Sequence, residues 1–417
     1  MAEPIIDVEV AVSGGGMVGA ALVCALVQQG FQVALVELRE PSRDWPAGEI
    51  DLRVSALTRA SQRILENLGA WPRLCQLGAH PYRRMQVWDA GGRGRIHFDA
   101  AEIGEPDLGH IVENRVTQLA LWERFPAFDN LHLLCPDRVE AIDLNGERPS
   151  MNLASGKTLR AQLLVGAEGA NSPLRELAGI HSSGWAYDQH AIVATVWVER
   201  HHDETARQRF LPTGPLAFLP LDQGRCSIVW STSPEEAERL MALADDAFCA
   251  ELTEASERML GQVTRIGPRG AFPLRLRNAD HYVLPGLALI GDAAHGIHPL
   301  AGQGVNLGLL DAAELAEVLV EARRAHRPLG SLKTLRRYER ARKGANIAML
   351  GAMDLFKRLF SNDLVPLALL RNLGLDLADR AGPLKGLVTR RALGLVGELP
   401  ELARYRPGLD NRPGAAT

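Results

Sequence analysis

The 417-residue sequence is poor in the features that would give it away quickly. No stretch of about 20 uncharged apolar residues occurs, so no membrane-spanning helix is expected. Basic residues are not in excess: 46 Lys and Arg stand against 50 Asp and Glu, and the net charge of −4 gives no reason to expect nucleic acid. The five cysteines (Cys24, Cys75, Cys135, Cys226 and Cys249) lie far apart, with no C-x-x-C pair. Neither a zinc site nor a disulfide framework is signalled, and scattered single cysteines fit a reducing cytoplasm. The opening "MAEPIIDVEV" is acidic and enters a strand at once, unlike a signal peptide. Internal repeats and low-complexity linkers are also missing, which predicts domains that interleave rather than follow one another. What is present is an ordinary globular composition, 46% hydrophobic and 23% charged. Its length calls for two or three structural units.

Residues 8 to 38 carry the first strong pattern, "VEVAVSGGGMVGAALVCALVQQGFQVALVEL". An apolar run predicts a buried strand, followed by Gly14, Gly16 and Gly19 in G-x-G-x-x-G spacing. Val18, Leu22, Ala25 and Leu26 then recur at helical spacing, and a second strand ends near Glu37. Gly14 permits the tight turn, Gly16 lets backbone approach a pyrophosphate, and Gly19 lets the helix lie close to the strand. The helix start offers free N–H groups and partial positive charge to phosphates. Glu37 can accept from a ribose hydroxyl pair. It favours an unphosphorylated adenosine ribose, as in FAD or NAD, over NADP.

The middle of the chain is less explicit. Arg53 precedes a predicted helix that Ser55 or Thr58 would cap, with Ile64, Leu65 and Leu68 inward. It would meet a phosphate or a flavin edge, or else be a surface arginine. Residues 110–125 read as one helix with Arg115 and Gln118 on one face. The run "LLVGAEGANSPLREL" predicts a strand, a small-residue turn holding Glu168, and a short helix with Arg175. From about 183 to 264, strand-like runs rich in β-branched and aromatic residues predict a mostly antiparallel sheet and a second domain. Ser233, Pro234 and Glu236 form a capping box for a helix there. The sheet's aromatics are candidates to wall an apolar substrate pocket, with Phe218, Trp230 and Phe272 foremost. Packing in a core is the competing reading for any one of them. The basic stretch 321–344 reads as a solvated helix face. Residues 347–399 read as amphipathic helices that cap the core, cover an apolar tunnel or touch a membrane surface.

The second strong pattern is "LALIGDAAHGIHPLAGQGVNLGLLDAAEL", residues 287–315. It predicts a buried strand, a loop of small residues and a helix beginning after Gln303. Asp292 follows the strand's C-terminal end, where ligands bind in open α/β sheets. The small residues at 301–304 leave room for a flat group against the backbone. A metal site from Asp292, His295 and His298 is disfavoured, because no further acid is in reach.

Three motifs, "GGGMVG", "GAEGANSPLR" and "GDAAHGIHPLAGQGVNLG", occur in an order that resembles the FAD-dependent aromatic hydroxylases of the para-hydroxybenzoate hydroxylase group. With "HPYRRMQVWD", "HIVENRVTQLALWE" and "FLPL", the chain is similar to the ubiquinone-biosynthesis hydroxylases across nearly its whole length. The resemblance implies an α/β fold. A Rossmann-like FAD domain (1–75, 105–182 and 265–330) interleaves with a substrate domain on a mostly antiparallel sheet (76–104 and 183–264), and a helical region follows (331–417). It implies that Gly14, Gly16, Gly19 and Glu37 hold the ADP half of FAD, with Arg53, Arg115, Gln118 and Glu168 further along. Asp292, Pro299, Gly302, Gln303, Gly304, Val305 and Asn306 would close on the ribityl chain and ring. Glu168 stands where the family usually has Asp, a position linked to FAD contact and NAD(P)H use. No catalytic residue announces itself; Pro299, His298 and His295 are candidates by location. The implied reaction uses NAD(P)H to reduce FAD, adds O2 at flavin carbon 4a, and passes one oxygen to an electron-rich ring. The substrate would be a polyprenylated phenol or quinol. "SIVWSTSPEEAERLMAL" and "GELPELAR" favour ring carbon 5, with carbon 6 or carbon 1 as alternatives. A flavin dehydrogenase, an isoprenoid reductase and a non-catalytic lipid-binding flavoprotein subunit are the competing functions. A cytoplasmic protein is expected, in peripheral contact with the inner membrane face and within a ubiquinone-biosynthesis complex.

Overall fold

The computed structural model describes residues 5–46, 48–91, 94–296, 304–360 and 382–404. In chain order, the elements that position the site begin with β1 (Val10–Ser13), α1 (Met17–Gln28), β2 (Val33–Val36), β3 (Val54–Leu57) and α2 (Arg59–Asn67). Next come β4 (Arg84–Asp89), β5 (Gly109–Glu113), α3 (Asn114–Trp122), β6 (Leu131–Leu134), β7 (Leu163–Gly166) and α4 (Pro173–Leu177). The remainder are β8 (Ser182–Val198), β9 (Gly214–Pro220), β10 (Arg225–Thr232), α5 (Pro234–Ala242), α6 (Asp245–Ala255), β11 (Val263–Ala279), β12 (Leu287–Leu289), α7 (Gly304–Arg324) and α8 (Leu332–Phe360).

The first sheet runs in the order β12-β7-β1-β2-β6, all parallel, with Val283–Leu284 added antiparallel at the β12 edge. The strands β12, β7, β1 and β2 are buried runs of mostly apolar residues because both faces are covered, whereas the edge strand β6 is partly exposed. Val10, Val12, Val33, Leu35, Leu163 and Leu287 are fully buried. The chain moves from β1 to β2 on one side and to β7 on the other, which opens a crevice at the strand ends beside β1. The three sequence motifs therefore emerge side by side: Ser13 pairs with Gly166, and Gly166 with Leu289.

The second sheet has eight strands, including β11, β8, β10, β9 and β4, and all but one of its pairings are antiparallel. Side chains alternate between its faces. Ile192, Val196, Phe218, Ile228 and Trp230 face α5 and α6, where Ala237, Leu240, Phe248 and Leu252 complete a dry core. Ala191, Val193 and Val229 take the opposite face.

Several sequence expectations are corrected at this level. Residues 110–125 are not one helix: β5 precedes α3 and pairs with β3 and with Ala79–Tyr82. Ile111 and Val112 are β-branched and buried in that sheet, which overrides the helical spacing beyond them. Ser55 lies in β3, and Thr58 is the α2 cap, accepting from the Ser61 N–H. Ser233 caps α5 through the Glu236 N–H, but the Glu236 carboxylate is taken by Arg239 instead of closing the box. The domain boundary at 265 falls inside β11, which belongs wholly to the second sheet. Arg342, within the stretch read as a solvated face, is buried.

Candidate active site: a cavity between the two sheets

A cavity of about 1080 Å3 runs from the first glycine loop to the inner face of the second sheet. That is just above the ~300–1,000 Å3 usual for small-molecule sites. At one end it is lined by Gly14, Gly16, Glu37, Asp137 and Arg138, and at the other by Val193, Val229, Phe272, Leu274 and Gly296. Arg53, Gln118, Glu168, Asp292, Gly304 and Val305 also line it.

The three glycines of the first loop do separate jobs. Gly14 has φ +100°, and a Cβ there would lie 2.6 Å from the Ala167 backbone. A Cβ on Gly19 would lie 1.9 Å from the Gly14 carbonyl oxygen, so that residue fixes how closely α1 meets the loop. A Cβ on Gly16 would meet nothing within 4 Å, because its missing side chain opens on the cavity. Gly304, at the start of α7, is open in the same way. Two neighbouring helix starts with bare backbone, both open on one cavity, fit a dinucleotide that carries a pyrophosphate and a flat ring. Glu37 accepts from the Gly15 N–H at 2.5 Å and from the Leu38 and Arg39 N–H groups. Gln118 and Trp122 both donate to the Gly15 carbonyl, at 2.9 and 2.7 Å. Gln118 thus steadies the loop as well as lining the cavity. Trp122, one turn further along α3, was not singled out in the sequence, although i,i+4 spacing places it on the same face.

The middle motif is tied inward. Glu168 accepts from Ser172 Oγ at 2.5 Å and from the Leu174 N–H at 3.3 Å, at the head of α4. Burial pushes its carboxyl above the usual range, and these donors pull it back. Arg175 is buried and donates to the carbonyls of Ala293 and Ala170, which stitches the middle motif to the late one. Desolvation lowers its affinity for a proton, as does the nearby Arg277.

The late loop sends Asp292 into the cavity, while Ala293, Ala294 and His295 are buried behind it. Asp292 itself is exposed, on the cavity surface. Desolvation by the protein around it raises its carboxyl above the ordinary value, and His295 and Arg53 oppose that shift. Asn306 is turned away from the cavity: its Oδ1 accepts from the Thr58 N–H at 2.9 Å and Ser61 Oγ at 2.6 Å, and its Nδ2 donates to the Ala56 carbonyl. It joins α7 to the β3–α2 turn instead of presenting its side chain to a ligand. Arg115 does not line the cavity either. Its guanidinium pairs with Glu113 and donates to the Glu49 carbonyl, stacked 4.4 Å from the Trp45 ring centroid. Of the aromatic candidates, Phe272 lines the cavity and is 40% exposed. Phe218 and Trp230 point to the opposite face of the sheet, where Trp230 meets Phe248 edge-on, so they are core and not substrate wall. Pro299, His298, Gly302 and Gln303 lie outside the described residues. His295 is buried and does not reach the cavity surface. Among the described residues, no cluster of three or more potential ligands could hold a metal, and no helix is long and apolar enough to cross a membrane.

Comparison with known proteins agrees with this geometry. Residues 7–352 match the family described as FAD binding domain. The chain is 43% identical over 387 residues to the 3-demethoxyubiquinol 3-hydroxylase of Escherichia coli, covering 93% of this chain and 98% of that protein. It is 41% identical over 401 residues to the ubiquinone hydroxylase UbiL of Rhodospirillum rubrum, covering 96% and 93%. The fold matches that of the p-nitrophenol 4-monooxygenase PnpA from Pseudomonas putida, with TM-score 0.74 at 20% identity over 94% of this chain and 97% of that one. FAD is the cofactor, with NAD(P)H and O2 as the co-substrates of this class. The chain belongs to the FAD-binding family that holds the ubiquinone-biosynthesis hydroxylases, within the para-hydroxybenzoate hydroxylase-like flavin monooxygenases.

Proposed function

We propose that the chain hydroxylates the ring of a polyprenylated quinol intermediate of ubiquinone biosynthesis, at the position that a 3-demethoxyubiquinol 3-hydroxylase modifies. The 43% identity to such an enzyme over 98% of its length favours this over ring carbon 5, which the late sequence words had suggested. The observation that carries the reading is the change in the cavity along its length. Bare glycine backbone and Asp292 line one part, and the floor of Ala191, Val193 and Val229 with Phe272 and Leu274 lines the other. Small and β-branched residues leave a shallow, apolar surface wide enough for a substituted ring, and exposed Phe272 continues it toward solvent.

FAD, when bound and reduced by NAD(P)H, would activate O2 for transfer of one oxygen atom. This chain's residues supply the rest. Gly14, Gly16 and the start of α1 would hold the pyrophosphate, and Glu37 would accept from the adenosine ribose. Asp292 would accept from the ribityl hydroxyls, with Arg53 beside it. The start of α7, at Gly304 and Val305, would place N–H groups and partial positive charge against the electron-rich edge of the reduced ring. The apolar floor excludes water and orients the substrate ring.

The test is hydroxylation of a demethoxyubiquinol with a short isoprenyl tail, using purified protein, FAD, NAD(P)H and isotopically labelled O2. One labelled oxygen per product ring is expected. Nicotinamide oxidation with no label in the product would support a reductase instead, and an unlabelled demethoxyubiquinol beside a labelled hydroxyl on a short-tailed polyprenylphenol would restore the carbon 5 reading.

A further inference from the structure

Behind Asp292 sits a buried charged cluster that the reaction does not use directly. The Asp311 carboxylate, on α7, accepts from four groups. Oδ2 takes the Gly291 N–H at 3.1 Å and His295 Nε2. Oδ1 takes Arg342 Nε at 2.7 Å and Asn346 Nδ2 at 3.3 Å, both from α8. Arg342 also donates to Asn346 Oδ1 at 3.0 Å. Asp311 and Asn346 are fully buried, and His295 is 1% exposed.

Both ends of the turn 291–295 are therefore bolted to one carboxylate, and that carboxylate is bolted to the next helix. Apolar side chains would join α7 to α8 at least as stably as a buried ion pair does. What they would not give is direction. The carboxylate fixes the Gly291 N–H and the His295 ring at once, and with them the one residue between that faces the cavity, Asp292. Gly291 has φ +59°, and Arg175 holds the Ala293 carbonyl from the far side, so the turn has little freedom left.

We propose that Asp311, held by Arg342, is a positioning residue for FAD, acting through Gly291 and His295 on the placement of Asp292. This rests on Asp292 facing the flavin chain. The test is a double-mutant cycle. Apo-protein is titrated into FAD and quenching of flavin fluorescence is followed, for the native chain, His295→Phe, Asp292→Ala and the pair. His295→Phe is expected to weaken FAD about tenfold with Asp292 present, by analogy with outer-shell partners of metal ligands. With Asp292→Ala the further loss should be under about twofold, because the misplaced group is already gone. His295→Gln, whose amide can still donate to Asp311, should stay within about twofold of native. Melting of each apo-protein checks that it is folded. Should His295→Phe fail to melt cooperatively, His295→Asn takes its place with the same outcomes, since its shorter amide does not reach. Equal losses in both Asp292 backgrounds, or His295→Gln as weak as His295→Phe, would overturn the proposal and leave His295 a packing residue. A folded native chain that bound no FAD would instead overturn the cofactor placement on which it rests.

Discussion

At the early glycine loop, the Gly15 carbonyl takes two neutral donors, Gln118 and Trp122, and its N–H goes to Glu37 on the neighbouring strand end. At the late loop, Gly291 and His295 converge on Asp311, a buried anion balanced by Arg342 from another helix. Both loops end a central strand and precede a helix, and both open a glycine onto the same cavity. They differ in what keeps them in place. The early loop is held by close packing of backbone on backbone, for which only glycine is small enough. The late loop keeps Gly291 at its start but depends on charge, through Asp311. Interactions between buried charges are directional but cost desolvation, so they fail abruptly when one partner is removed. Steric constraints fail as soon as an atom is added.

The largest effect should come from adding one carbon to the early loop. In Gly19→Ala the new Cβ would lie 1.9 Å from the Gly14 oxygen, so α1 or the loop must move. Soluble expression and FAD content should both collapse, and a purified variant with full flavin occupancy would show that the loop is not held by packing. Next is the late loop with its counter-charge removed. Arg342→Met leaves Asp311 buried with fewer donors and should cost about 3–5 kcal/mol of stability. Chemical denaturation would report this; a loss below about 1 kcal/mol, the size typical of an exposed ion pair, would mean the cluster is not a working ion pair. The smallest effect belongs to the neutral side of the comparison. Trp122→Phe removes one of two donors to the Gly15 carbonyl while keeping most of the ring's packing. It should cost about 1 kcal/mol, with FAD still bound. A loss as large as that of Arg342→Met would erase the contrast between the two loops.

The parts of the site legible in the sequence are those that depend on neighbours along the chain. Gly14, Gly16 and Gly19 are spaced by the geometry of one strand–turn–helix unit: the first takes a positive φ, the second opens on the cavity and the third lies against the loop. Thr58 and Ser233 cap helices by accepting from the N–H three residues further on, which is again local. Reading failed where a second element took the side chain. Arg115 and Gln118 share a helix face, yet only Gln118 lines the cavity, because Trp45 and Glu49 hold the Arg115 guanidinium. Asn306 was expected at the flavin and is spent on Thr58, Ser61 and Ala56, some 245 to 250 residues away in sequence. Trp230 and Phe272 read alike as aromatics of one sheet, but strand alternation and register put them on opposite faces.

By itself the sequence determined that there would be two glycine-bearing strand–loop–helix units, one parallel sheet and one mostly antiparallel sheet. Apolar runs, glycine spacing and caps act over a few residues and need no partner from elsewhere. The tertiary structure alone decided which side chains reach the cavity. That depends on which face of β8, β10 and β11 is covered by α5 and α6, and on Asp311, Arg342 and Asn346 meeting behind a turn they do not adjoin in sequence. A buried charge takes its position from whatever compensates it, and only the folded chain brings those groups together.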